Sequence, residues 1–197
     1  MAIPDTFPAQ YLGLALIDAP LATAVSDAQS WFTPSDQSQA AFEIPSMEPY
    51  AYRPNWSHGY FWSPLCKPGG TALVANASIA YNLAHRFGHR VIEIRISPAT
   101  DEWPICEFQL SEAGTERRFV RAFRDDTKWD FYEKGEPLPF EDSSQYRKRR
   151  IRDRLTPEMV RNYCLALGWD IEPHALLASA GPATTLIRHW TNKPSRP

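Results

Sequence analysis

The sequence predicts an α+β fold. An antiparallel four-stranded meander over about residues 90–133 packs against helices, and a long Pro/aromatic-rich loop precedes the main helix. Three observations predict it. Hydropathy alternates with period 2 through RVIEIRIS, ICEFQLS, RRFVRAFR and KWDFYE, the side-chain period of strands. The last three runs are joined by Glu112–Ala113–Gly114 and Asp125–Asp126, links short enough for antiparallel neighbours. On either side the period changes to 3.6, in ALVANASIAYNLAHRF and after Thr156–Pro157.

Each element follows from local signals. YLGLALI (11–17) reads as a short buried strand, and 20–32 as a helix with Asp18 near its cap and Pro20 in its first turn. Between 33 and 70, Pro34, Pro45, Pro49, Pro54, Pro64 and Pro68 interrupt any regular element, and Trp56, Tyr60, Phe61 and Trp62 cluster among them. Thr71 then caps the main helix, 72–87, which Gly88 ends; Leu73, Ala77, Tyr81 and Ala84 share the face expected to cover the meander. Within the meander, Ile92, Ile94 and Ile96 point one way, as do Cys106, Phe108 and Leu110. Phe119 and Phe123 flank Arg121, while Val120 and Ala122 make the second face of that strand partly apolar. GEPLPFED is a rigid proline crossing. Asp142 or Ser143 caps a helix over 143–155, with Gln145 in capping-box position. A further helix has Thr156 as N-cap, Pro157 as its first residue, Leu155 and Val160 as a staple, and Gly168 at its end. One more turn is expected through Leu186 and Trp190, before a frayed tail over 191–197. The whole, 1–197, reads as a single domain.

Charge and cysteines narrow the function classes. The net charge is −2, unlike a dedicated DNA coat protein, but it is unevenly spread. Residues 1–66 hold six acidic side chains against one basic, Arg53, whereas 141–161 hold seven basic against four acidic. The three cysteines, Cys66, Cys106 and Cys164, form no CxxC pair and suit a reducing cytosol. No export signal or membrane span is legible, which makes a cytoplasmic location the expectation.

No motif announces a reaction. His85 and His89 are four apart, but Gly88 lies between them and no HExxH glutamate accompanies them. CKPGGT sets Lys67, Gly69 and Gly70 ahead of Thr71 at an expected helix N-terminus, a weak anion-binding signal without the full phosphate-loop pattern. The carboxylate pairs Asp101–Glu102, Asp125–Asp126 and Glu141–Asp142 fall in expected turns, where Asp serves the backbone. No catalytic residue, metal or cofactor is therefore assigned. Two features point to recognition instead. One is the aromatic loop with Trp56, His58, Tyr60 and Trp62. The other is the run from Arg147 to Arg154, six basic residues against Asp153 alone; Tyr146, Arg147, Arg150 and Arg154 are its candidate contact residues.

The order W-x-F-Y-E-x-G-x-P-L-P-F-E (Trp129 to Glu141), then Y-R-x-R-R-I-R-D-R-L-T-P-E, then a helix closing on A-L-G-W-D, resembles small bacterial immunity proteins of polymorphic toxin and type VI secretion systems. The resemblance covers about 89–170. It implies a cytoplasmic, non-enzymatic α+β protein whose partner is a cognate toxin, a nuclease effector in the class it most resembles. The alternative is a nucleic-acid-binding regulator using 146–154, and a third reading is a small enzyme around Lys67, Gly69 and Thr71.

Overall fold

A computed structural model describes residues 13–31, 40–42, 58–75, 77–97, 100 and 102–187. One antiparallel sheet of nine strands runs through them, in the order β2-β9-β3-β4-β1-β5-β6-β7-β8. The strands are β1 Gly13–Ile17, β2 Ala40–Phe42, β3 His58–Trp62, β4 Thr71–Ala75, β5 Val91–Ile96, β6 Ile105–Glu112, β7 Thr115–Asp125, β8 Lys128–Lys134 and β9 Ala183–Ile187. The helices are α1 Leu21–Trp31, α2 Ala77–His85, α3 Pro157–Ala166 and the single turn α4 Pro173–Leu176.

The meander β5–β8 forms as expected, and it is one half of a larger sheet. The other half includes the short buried strand expected at 11–17, which forms as β1, together with strands that sequence patterns do not show. β1 lies at the centre of the order, with Leu14 and Leu16 in one core cluster and Ala15 and Ile17 in the other. A strand buried on both faces loses the period-2 signal. The same effect corrects the expected 72–87 helix. Thr71–Ala75 is β4, paired residue for residue with β1; Ala72 and Val74 face one cluster and Leu73 the other. Thr71 is accordingly not an N-cap: its hydroxyl donates to Ala19 O at 2.7 Å. Only Ala77–His85 is helical, and its buried stripe is Ile79, Ala80, Leu83 and Ala84, leaving Tyr81 exposed.

Three more strands depart from the expected reading. β2 and β3 both lie within 33–70, and 183–187 is a strand, β9, inserted between them rather than a helical turn. Trp190 and the tail over 191–197 lie outside the described residues.

The sheet buries apolar residues on both faces. α1 and α2 cover one face over β3, β4, β5 and β9, through Ala24, Val25, Ala28, Ile79 and Leu83. α3 covers the other face over β5 and β6, with Val160, Tyr163 and Cys164 against Ile94, Phe108 and Leu110. The principal cover of the meander's apolar face is thus α3 with the 138–155 segment, and α2 packs on the opposite face. α3 begins and ends where its sequence dictates: Thr156 Oγ1 accepts the Met159 N–H at 3.3 Å, Pro157 opens it, and Gly168 stands just past its end at φ +83°.

β7 also turns the opposite way from the simplest reading of RRFVRAFR. Val120 and Ala122 are fully buried in the core on the face that α3 and the 138–155 segment cover, opposite Phe108 and Cys106 of β6. Phe119 and Phe123 lie on the other face and are only half-buried. Arg118 shares the inward face with Val120 and Ala122, so a guanidinium is carried into the core.

Candidate functional site

The charged run 147–154 is not an α-helix. Two short 3-10 turns, Ser143–Arg147 and Ile151–Asp153, are separated by extended backbone at Lys148 (φ −55°, ψ 143°) and Arg150 (φ −84°, ψ 115°). The physical reason is local. A helix would stack like charges three and four residues apart, and no turn-by-turn acids offset them. The extended breaks let the cations diverge while Tyr146 and Leu155, 4% and 1% exposed, are buried at the two ends of the segment. Asp142 caps the first turn, accepting from Ser144 N at 3.1 Å and from Gln145 Nε2 at 2.7 Å. The result is a strap laid across β8.

Three layers fasten the strap to the inward face of β8. At the top, Trp129 lies beside Arg150 and Ile151. In the middle, the Phe131 ring sits 5.3 Å from that of Tyr146, and the Arg154 guanidinium lies 5.6 Å from its centre. At the bottom, Glu133 accepts a 2.7 Å bond from Arg118 Nη2. Arg118 is the keystone of that layer. Its Nε donates to both oxygens of Glu141, at 3.0 and 3.1 Å, its Nη2 to Glu141 Oε2 at 2.8 Å, and its Nη1 to Gly135 O at 2.7 Å. Glu141 also accepts the Tyr146 hydroxyl at 2.6 Å and the Leu138 N–H at 3.1 Å, and Tyr146 shares a 2.9 Å hydrogen bond with Tyr163 of α3. Burial works against the Arg118 cation, but its hydrogen bonds to Glu141 and Glu133 outweigh this and raise its pKa. Burial, then the bond to Glu141, raises the Tyr146 phenol. The turn-pair reading of Glu141–Asp142 misses the buried Glu141; the signal in the sequence is Arg118, which shares the parity of Val120 and Ala122.

What the strap presents outward is positive. Arg147, Lys148, Arg149 and Arg150 are all exposed, and none has a carboxylate within ion-pair distance among the described residues. Among the described residues the carboxylate within reach of Arg152 is Asp153, at 3.7 Å, and Arg154 turns back to donate to Lys148 O at 2.9 Å. An open hollow at the β8 edge is lined by Lys128, Trp129, Arg150, Ile151 and Arg152.

The expected contact residues separate into two groups. Tyr146, Arg147, Arg150 and Arg154 come together on the strap, with Tyr146 and Arg154 turned inward as fasteners. Trp56 lies outside the described residues, and His58 opens β3, in the other half of the sheet. On that strand Tyr60 is half-buried, and Trp62 is a core residue, 1% exposed, whose indole donates to Leu176 O at 2.8 Å.

The features weighed for chemistry have structural occupations. His85 bonds Gly114 O through Nδ1 at 2.7 Å, and His89 bonds Asp27 at 2.6 Å, from different elements. Lys67 precedes a strand rather than a helix, 3.5 Å from Asp18 and over the Trp169 ring. Burial pushes the Cys164 thiol up to about 12 and raises those of Cys106 and Cys66, so all three are thiols rather than thiolates near neutral pH. Among the described residues no group of His, Cys, Asp or Glu is arranged to hold a metal, and no helix is long and apolar enough to cross a membrane. Two acids of the acidic first third, Asp18 and Asp27, are engaged internally, with Lys67, Arg90 and Trp169 and with His89 respectively.

The outward face of the meander carries a second polar row, Arg95–Glu107–Arg121–Tyr132 across β5 to β8. Arg121 stacks 4.2 Å from the Phe123 ring centre, and Glu107 lies between Arg95 and Arg121 at 3.4 and 3.8 Å. Glu93 has no ion-pair partner among the described residues. Burial first, then the nearby Glu107 and Glu116, push it up from 4.5 to about 7 against the pull of Arg95. A carboxyl raised on folding contributes stability below its unfolded pKa and loses it as pH rises through the folded value. Glu93→Gln is therefore expected to match wild type at pH 4.5 and to exceed it above pH 7, by at most about 3 kcal/mol. Denaturant midpoints at the two pH values measure this; an equal offset at both would refute the assignment.

No family model, curated protein or solved structure matches the chain.

Proposed function

We propose that this is a non-enzymatic cytoplasmic immunity protein that binds a cognate toxin, of the nuclease-effector class, and blocks it. The observation that carries the reading is the strap: four adjacent cations, Arg147 to Arg150, exposed without carboxylate partners among the described residues, on backbone fastened at both ends. Leaving four like charges side by side is unfavourable for the isolated fold, and the arrangement suits a surface completed by a partner. The surface is preformed, so little backbone ordering opposes binding. The resemblance to immunity proteins supports the same reading, since its most distinctive segment, GxPLPFE…YRxRRIRDRLT, is the strap with its approach.

Co-expression with the products of the adjacent genes tests it. The expected result is rescue of growth from one neighbour and a complex that co-purifies. Neither rescue nor complex with either neighbour overturns the proposal.

A further inference from the structure

The geometry points to a carboxylate-bearing protein loop as the occupant of the hollow between β8 and the strap. An Asp or Glu would be seated among Lys128, Arg150 and Arg152, with an apolar side chain laid on Trp129 and Ile151. This rests on the protein-binding reading above and names the chemistry of the partner's contacting surface.

Three features of the hollow lead to it. Its polar lining is entirely cationic, and two of the three cations, Lys128 and Arg150, have no carboxylate in reach among the described residues. Its floor is apolar, a half-buried indole and a half-buried isoleucine, so a ligand that brings only charge leaves that area uncovered. Trp and Arg side by side at the rim of a rigid element are also the residue types that dominate binding energy in protein interfaces. Arg150 can grip a carboxylate with two parallel N–H groups, which fixes orientation as well as charge.

The surroundings decide between an acidic protein and a nucleic acid. The cations continue along the strap through Arg149, Lys148 and Arg147, but acids interrupt them on the other sides of the hollow. Asp125 ends β7 directly across from Lys128, Asp126 lies in the β7–β8 turn, and Asp153 follows Arg152. A duplex carries one phosphate charge per roughly 1.7 Å of its axis and tracks over a long surface, so it would pass these acids. The whole chain, at −2, adds no long-range attraction for a polyanion. A protein loop needs only the local cluster and can place its own basic residues against the fringing acids.

The full chain, labelled with nitrogen-15, would be titrated with a synthetic peptide of alternating Glu and Asp around a central Leu, and separately with duplex DNA and with polyuridine at the same salt. The expected result is peptide-induced shifts concentrated at amides 128–130 and 149–152. Arg150→Glu should weaken the peptide at least tenfold. Arg86→Glu, an exposed charge past the end of α2 on the opposite face, should leave it within twofold. Shifts centred elsewhere, or an Arg150→Glu variant that binds normally, overturn the inference. Tighter binding of either nucleic acid at these same amides overturns it in favour of a nucleic-acid site. Loss of the peptide site with toxin rescue intact would move the contact elsewhere and leave the proposed function standing. Peptide binding at the hollow without rescue by either neighbour would keep the site and discard the toxin.

Discussion

Replacing Arg118 with methionine is expected to lower folding stability by about 3–5 kcal/mol, the cost of leaving a buried carboxylate without its partner. Arg118 and Glu141 have fully buried side chains, so water cannot take over the lost bonds. Glu141 would keep the Tyr146 hydroxyl and the Leu138 N–H but lose every positive contact at hydrogen-bond distance. The double variant Arg118→Met/Glu141→Leu separates the explanations. Replacing a buried ion pair by apolar residues is often close to neutral, whereas breaking it is not. The double variant is therefore expected to be more stable than the sum of the two single changes by about 2 kcal/mol or more. Denaturant midpoints of the three variants measure this, and additive costs would show that the pair does not act as a unit. Because Tyr146 begins the strap, the single Arg118→Met change should also raise the amide exchange rates of 147–152 before global unfolding.

The second large effect is expected at Gly135, just after β8. Its φ is +84°, and a Cβ there would lie 2.1 Å from Arg117 O, a backbone atom that cannot swing away. Gly135→Ala must move either β7 or the segment leaving β8. That movement also pulls Gly135 O from Arg118, which donates to it at 2.7 Å. A loss of about 3 kcal/mol or more is expected from strain and a displaced hydrogen bond together. Gly69 supplies the control: its φ is +78°, but a Cβ added there would meet nothing within 4 Å. Gly69→Ala should then cost only the backbone preference, about 1 kcal/mol. Equal losses in denaturant midpoint at the two positions would show that the close approach at Gly135 is relieved without consequence.

The strap shows how far residue patterns reach. The run of bases and its end at Leu155–Thr156–Pro157 are legible in order along the chain, whereas Tyr146, expected as a contact residue, is a buried anchor of the strap. Its helical reading fails because amphipathic spacing alone does not weigh repulsion among neighbouring cations. The fate of the cations is also invisible locally. Pairing with acids of neighbouring elements depends on which acids the fold brings near. Glu133 and Glu141, which are near, are already held by Arg118.

The sequence by itself determined the elements whose signals are local: the short strand β1, the β5–β8 meander with its hairpin turns, α1, and α3 between its cap and Gly168. It also determined the concentration of charge at 147–154. Only the tertiary structure decided that 71–75 is a strand, since a segment buried on both faces carries no period to read. It alone decided that 183–187 joins β2 to β3, a pairing across more than a hundred residues of chain. It alone decided that Val120 rather than Phe119 faces inward, because cross-strand neighbours on β6 set the face and Glu141 makes a buried Arg118 tolerable. The basic strap became a candidate surface for the same reason: local sequence supplies charges, and only packing decides which of them are left without partners.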